Sequence, residues 1–321
     1  MKRLFRAIAL AAALLTPLPL HTQAAELLIP VGQVIGLQLG SDTLTVAAYD
    51  DTMGDAARSA GLKIGDELVT IGDTAIDCAE DVRSALNQTS GPVTLTVRRG
   101  SKLHTLRVTP QKTDDGPRLG VYLRQGIAGI GTVTFYDPET GLFGTLGHGV
   151  SDSRGTLLRM TQGQAYEASV QSVKKGKSGD PGQLKGSACG DCFGTLLRNT
   201  PHGVFGVTHQ GWKGQPLPLA DYADIHTGNA AIRCTVSGRE AQEYSVDILK
   251  IYPETRPDGR NFLIKITDPT LLSATGGIIQ GMSGSPIIQD GKLVGAVTHV
   301  LVNDPTAGYG IFIENMVDAA G

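Results

Sequence analysis

The chain has 321 residues, enough for about two domains at the usual ~100–200 residues each. Its net charge is −3, from 28 basic and 31 acidic residues. No basic run suggests a nucleic-acid surface, and no Walker or dinucleotide loop is present, so nucleotide chemistry and nucleic-acid binding are excluded as expectations. The 42 glycines, set among alternating Val, Ile, Thr and Leu, favour a mainly β body with many turns.

The first 24 residues read as a signal peptide or membrane anchor. Lys2, Arg3 and Arg6 form a positive n-region, Ile8 to Leu15 is apolar, and Thr22-Gln23-Ala24 has small-x-small cleavage character. Pro17 and Pro19 interrupt the apolar run, which is short against the roughly 20 residues of a spanning helix. The rest of the chain is expected outside the cytoplasm, secreted or membrane-associated.

Residues 28–111 read as one small module. An apolar strand, Gln33 to Leu39, opens it, and Ala60-Gly61-Leu62-Lys63-Ile64-Gly65-Asp66 and Ile71-Gly72-Asp73 follow. An amphipathic helix starts near Asp77, with Val82, Ala85 and Leu86 on one face, and Gly91-Pro92 ends it. Two alternating strands, Val93 to Arg98 and Leu103 to Val108, flank Arg99-Gly100-Ser101. This pattern resembles a PDZ domain of the bacterial type. The resemblance implies an apolar-Gly-apolar loop whose N–H groups hold the C-terminal carboxylate of a peptide that adds as a strand. By position that loop matches Ile35, Gly36 and Leu37; the alternative is that these residues only begin a strand.

Residues 112–117 read as a polar linker, and 118–321 as a run of short strands and glycine turns. A double β-barrel suits that run, although periodicity does not separate it from a sandwich. Four cysteines, Cys78, Cys189, Cys192 and Cys234, stand in a chain expected to be exported. The Cys189–Cys192 spacing fits a local disulfide or plain thiols. One C-x-x-C falls short of the four ligands of a structural metal site, so no metal is expected.

The most telling stretch is Gly281-Met282-Ser283-Gly284-Ser285-Pro286. It reads G-x-S-G-x-P, the nucleophile turn of trypsin-like serine proteases. Glycines on both sides allow a tight turn in which the N–H groups of Gly281 and Ser283 converge as oxyanion donors. Ser285 is the weaker candidate nucleophile. His148, in Gly147-His148-Gly149, is the natural base because imidazole titrates near neutrality. His299 is a candidate for substrate contact or support, and His209 is a distant rival for the base. The acid that would orient the imidazole is open among Asp180, Asp191, Asp224, Asp247 and Asp268.

Longer motifs narrow these choices. The runs Gly276 to Gln289, Gly295 to Val300, Asn303 to Gly310 and Phe143 to Gly149 closely resemble the stage IV B sporulation peptidase family of endospore formers. So does the order of signal or anchor, PDZ domain and protease. The resemblance implies a trypsin-like double-barrel serine endopeptidase with a triad of His148, Asp268 and Ser283. It needs no cofactor. It further implies export to the space between the forespore membranes, self-cleavage, and cleavage of a membrane-bound regulator of an intramembrane metalloprotease, leading to sigma-factor activation. The PDZ domain would recognise partners and restrain activity. Two other readings stand beside it: an envelope quality-control protease, and a non-catalytic PDZ scaffold.

Overall fold

The computed structural model describes residues 27–152, 155–256 and 258–321. The expected signal segment, residues 1–24, lies outside them. The chain opens with β1 (Leu27–Pro30) and β2 (Val34–Tyr49). Then come α1 (Asp55–Ser59), β3 (Glu67–Ile71), β4 (Thr74–Ala75), α2 (Ala79–Asn87), β5 (Val93–Arg99) and β6 (Lys102–Val108). A hairpin of β7 (Gln111–Thr113) and β8 (Gly116–Arg118) leads to β9 (Val121–Tyr136). β10 (Leu142–Thr145), β11 (Met160–Lys174), β12 (Gln183–Thr200), β13 (Gly203–Thr208) and β14 (Leu217–Pro218) follow. The last third holds β15 (Gly228–Cys234), β16 (Gln242–Ile251), β17 (Phe262–Ile266), α3 (Pro269–Thr275), β18 (Pro286–Gln289), β19 (Lys292–Leu301), β20 (Asp304–Phe312) and α4 (Ile313–Ala320).

The architecture is mainly β, with two rings of strands. In the first, β9, β10, β13, β12, β11 and β2 pair in succession, and a β2–β9 ladder closes the circle. In the second, β15, β16, β17, β20, β19 and β18 form a closed barrel. Its strands alternate as a barrel wall must: Tyr244, Val246 and Ile248 of β16 point into the core while their neighbours face out. Phe262 and Phe312 meet edge to face in that core, 4.6 Å between centroids. Phe135 and Phe205 of the first ring pack with Leu293, Ala296, Ile311 and Met316 of the second lobe, so a shared apolar cluster joins the two.

An α/β unit with its own core is inserted into the first ring. Leu44, Leu68, Leu86, Leu95 and Val97 fill it, separately from the barrel cores. The insert begins and ends in mid-strand. β2 and β9, 16 residues each, run out of the ring as a pair. Their ladder shifts register between Leu39 and Leu44, and there Gly126 (φ +89°) lets the chain bend. A Cβ on Gly126 would stand 2.0 Å from the Leu39 carbonyl oxygen. The Ala60–Asp66 motif is explained here. Asp66 is buried, and Arg99 forks onto both its oxygens at 2.7 and 2.6 Å while also donating to the Gly61 carbonyl. The motif's loop adds Lys63 N–H to the same carboxylate at 2.8 Å.

The structure therefore draws the boundaries differently from the 28–111, 112–117 and 118–321 division. Residues 27–30 and 34–40 are strands of the first lobe, and 112–117 lie in the β7–β8 hairpin rather than in a free linker. Ile35, Gly36 and Leu37 are also corrected as a peptide-binding loop. They sit mid-strand, paired with Gly131, Ile130 and Gly129 of β9 on one side and with Glu167, Tyr166 and Ala165 of β11 on the other. A strand hydrogen-bonded along both edges has no N–H groups left for a ligand.

Candidate active site

The site lies where the two barrels meet. β10 of the first ring ends at Thr145, and the chain turns sharply through Leu146 (φ +72°) and Gly147 (φ +68°) to present His148. Gly147 abuts the second barrel: a Cβ there would fall 2.9 Å from Thr298 and 3.1 Å from Ile311 side-chain carbons. That close approach sets His148 against β19.

Ser283 comes from the other lobe, on the turn before β18. Gly281 (φ +99°) and Gly284 (φ +95°) hold the turn in the left-handed region that favours glycine. The first barrel clamps it. Thr132 Oγ1 donates to the Gly281 carbonyl at 2.7 Å, and Thr134 Oγ1 to the Gly284 carbonyl at 2.8 Å. Thr132 N–H reaches the Ser283 carbonyl at 3.2 Å. The carbonyls of Gly281, Ser283 and Gly284 are thus all turned to the first barrel. Among the described residues no backbone acceptor takes the N–H of Gly281 or Ser283, whereas those of Met282, Gly284 and Ser285 are all used. Two unclaimed donors beside a serine hydroxyl are what an oxyanion hole requires.

The Ser283 hydroxyl donates to the Thr298 carbonyl at 2.7 Å. His148 pairs through Nδ1 with the Gly149 carbonyl at 3.0 Å. A carbonyl only accepts, so that pairing places the proton on Nδ1 and leaves Nε2 as the basic nitrogen. The His299 ring lies 5.3 Å from the His148 ring, and its Nδ1 is buried without a partner. Burial pushes the His148 pKa down, partly offset by the Gly149 carbonyl. Burial, then the proximity of His148 and Arg260, pushes His299 down to about 4. Both imidazoles are therefore neutral near pH 7.

Asp268 stands apart from them. It is the N-cap of α3, and its Oδ1 accepts from Thr270 N–H at 2.8 Å and Leu271 N–H at 2.9 Å. Its charge is felt by Cys234 and Tyr244. Among the described residues no carboxylate hydrogen-bonds to His148. The structure thus brings His148 and Ser283 to one seam and does not bring Asp268 to them; the D-P step before a short helix explains its place, since Asp at the cap and Pro at the first turn start a helix. Of the other acids, Asp224 pairs with Lys292 and Asp180 with Lys174 at the surface. Ser285 is fully buried, with its hydroxyl on the Met282 carbonyl at 2.6 Å. Cys189 and Cys192 are exposed thiols on β12.

Sequence reasoning missed the backbone partners, Thr298 O and Gly149 O, because main-chain roles leave no residue-type signal. It also missed a second apolar-Gly-apolar loop, Leu119-Gly120-Val121, which repeats the pattern of residues 35–37 at the start of β9. Among the described residues no backbone acceptor takes the N–H of Leu119 or Gly120. A cavity of about 550 Å³ opens beside them, between the start of β9 and α2, with Val82, Leu86, Arg118, Val121 and Leu123 in its lining.

The family model described as SpoIVB peptidase S55 matches residues 115–317, well over half of the chain. Among curated proteins, a putative zinc metalloprotease of Agrobacterium fabrum (strain C58) is 34% identical over 107 residues, 33% of this chain and 27% of that protein. The chain thus spans about a quarter of the length of the curated relative it matches. Among solved structures, the inactive form of the Rv3671c protease aligns at 16% identity and a TM-score of 0.35, covering 61% of this chain and 85% of that one. The active form of the same protease, from M. tuberculosis, aligns at 16% identity and 0.37, covering 61% and 73%. The class that the family model defines is a peptidase of type S55. The chain belongs to the SpoIVB peptidase S55 family.

Proposed function

We propose that this chain is an exported serine endopeptidase in which Ser283 attacks the scissile carbonyl and His148 moves the proton. The observation that carries this reading is the clamped turn, with two free N–H groups flanking the Ser283 hydroxyl at the barrel seam. The hydroxyl leaves the Thr298 carbonyl and turns toward Nε2 of His148. Nε2 takes the proton as Oγ bonds to the carbonyl carbon, and the oxyanion forms against Gly281 and Ser283 N–H. His148 then returns the proton to the departing amine, and water repeats the sequence to release the acyl group. The Gly149 carbonyl holds the imidazole in the productive tautomer, the task a carboxylate performs in a triad. Asp268 acts as a helix cap.

The inserted unit is read as a PDZ-type module whose groove runs along β9 and α2, with Leu119 and Gly120 N–H as carboxylate donors. A peptide C-terminus of a partner, or of the protein itself, is its proposed ligand, and capture there would regulate the protease. The family motifs and the basic, apolar N-terminus support the finer reading. On it, the enzyme works outside the cytoplasm, in the forespore intermembrane space, and cuts itself and a membrane-associated regulator of an intramembrane metalloprotease in sporulation signalling.

The test is covalent labelling by a fluorophosphonate, run with wild type and Ser283→Ala and paired with a gel assay for self-cleavage. Labelling and cleavage that both vanish in the variant are expected. A wild type that neither labels nor cuts would leave a binding scaffold instead.

A further inference from the structure

Two buried side-chain nitrogens among the described residues lack any hydrogen-bond partner: His299 Nδ1 and Arg260 Nε. Folded proteins pair nearly all such groups, so each exception asks for a cause. Both sit on one side of the nucleophile. His299 stands directly across the β19–β20 ladder from Tyr309, and the Arg260 guanidinium lies over the Tyr309 ring, 5.2 Å from its centroid. The strand that carries His299 also carries the carbonyl that holds the Ser283 hydroxyl.

The charge of Arg260 is only loosely paired within the protein: its Nε lies 3.9 Å from an oxygen of Asp258. That carboxylate is already gripped by Arg256, whose Nε and Nη2 donate to its two oxygens at 2.6 and 3.0 Å. Arg256 itself stacks over Tyr252. The neighbouring imidazoles of His148 and His299 are neutral; Arg256 also reaches the Tyr309 ring, at 5.9 Å, but is bound to Asp258, so Arg260 carries the less neutralised charge beside Tyr309. Its side chain is 39% exposed, which leaves the terminal nitrogens open while Nε is sealed. Val297 still bonds Ser285 and Gly284 of the serine turn, and from His299 onward β19 is paired only with β20. Tyr309 lies across β19 from that free edge, opposite His299, and Arg260 stands over its ring.

We propose that Arg260 is a specificity-determining residue that binds the carboxylate of an acidic side chain in the polypeptide being cut. A guanidinium held over an aromatic ring can offer two parallel N–H groups to a carboxylate with little loss of freedom. The proposal rests on the peptidase reading of the Ser283 site.

The test is cleavage-site profiling. A proteome-derived peptide library is digested with wild type, Arg260→Ala and Arg260→Glu, and the cut sites are read by mass spectrometry. Each protein is also labelled with a fluorophosphonate to show that the nucleophile is intact. Wild type should enrich Asp and Glu at one position near the scissile bond, with about tenfold faster cutting than at Asn or Gln. Arg260→Ala should flatten that preference, and Arg260→Glu should turn it toward Lys and Arg. Labelled proteins with no acidic preference, or with a preference that survives both substitutions, overturn the role of Arg260 and leave the peptidase reading in place. A wild type that takes no label sinks both.

Discussion

Ser283 donates its hydroxyl to the carbonyl of Thr298, 2.7 Å away, and not to His148. On the proposed mechanism the hydroxyl must rotate away from that carbonyl about its side-chain bond to react. Giving up one hydrogen bond costs about 1 kcal/mol, which thermal motion supplies readily.

Ser283→Ala should abolish proteolysis and fluorophosphonate labelling with little change in melting temperature, since only the hydroxyl is lost. Ser285→Ala should keep the label and lose about 1 kcal/mol of stability, because its buried hydroxyl bonds the Met282 carbonyl. Activity that survives the first change and disappears with the second would reassign the nucleophile.

Asp268 separates two roles cleanly. An asparagine still caps a helix, so Asp268→Asn should leave turnover within about tenfold of wild type, and Asp268→Ala should cost about 1 kcal/mol of stability. A triad carboxylate replaced by an amide loses on the order of 10⁴ in turnover. Steady-state rates for the Asn variant decide the matter: a loss of that size would return Asp268 to His148 in the working enzyme.

The groove assignment makes two variants diverge. Arg118→Glu puts a negative charge at the mouth of the Leu119–Gly120 loop and should weaken binding of C-terminal peptides at least about tenfold. Amidating the peptide should do the same. Gly36→Val should instead destabilise the barrel by about 1–3 kcal/mol, because a Cβ there already touches those of Ala188 and Tyr166 at 3.4 and 3.5 Å. Titration of selected peptides against both variants, with melting curves, measures the contrast. Loss of affinity in folded Gly36→Val and not in Arg118→Glu would restore the 35–37 loop.

His299 gives stability an acid limit. Its pKa falls from 6.5 to about 4 on folding, so between those values the unfolded chain carries a proton that the folded chain lacks. Stability from the neutral ring is complete above the unfolded value and is lost as pH drops through that window. His299→Gln has nothing to protonate and should flatten the melting temperature between pH 6.5 and 4, by on the order of 1–2 kcal/mol after allowing for partial exposure. Parallel pH curves for the two proteins would show that another group sets the limit.

Asp66→Ala should cost about 3 kcal/mol and release the insert first, since Arg99 would lose the carboxylate that takes both arms of its fork. Hydrogen exchange measured segment by segment checks this: protection should fall in β3 and β5 before β16 and β17. Uniform loss of protection would mean that the insert and barrels unfold together.

Much of the site was legible because chemistry there depends on residue type. Glycines bracketing a serine signal a tight turn, and a histidine between glycines after an apolar strand signals a second loop at the same seam. The partners of those residues were not legible, since Thr298 and Gly149 contribute only carbonyls. Asp268 illustrates a local signal with two meanings: Asp-Pro before Thr-Leu-Leu is both a loop-mouth acid and a helix cap, and the backbone geometry chose the cap. The insert's boundaries escaped because β2 and β9 each run as one strand from ring to insert, and local alternation does not say which partner a strand has.

That continuity has a mechanical consequence. β2 and β9 are two of the six staves of the first ring, and both continue into the insert. A fragment beginning at residue 118 lacks one stave entirely and cannot close the hoop. Thr132, whose hydroxyl holds the Gly281 carbonyl and whose N–H reaches the Ser283 carbonyl, sits on β9, the strand that comes out of the insert. Insert and serine turn therefore share one stave.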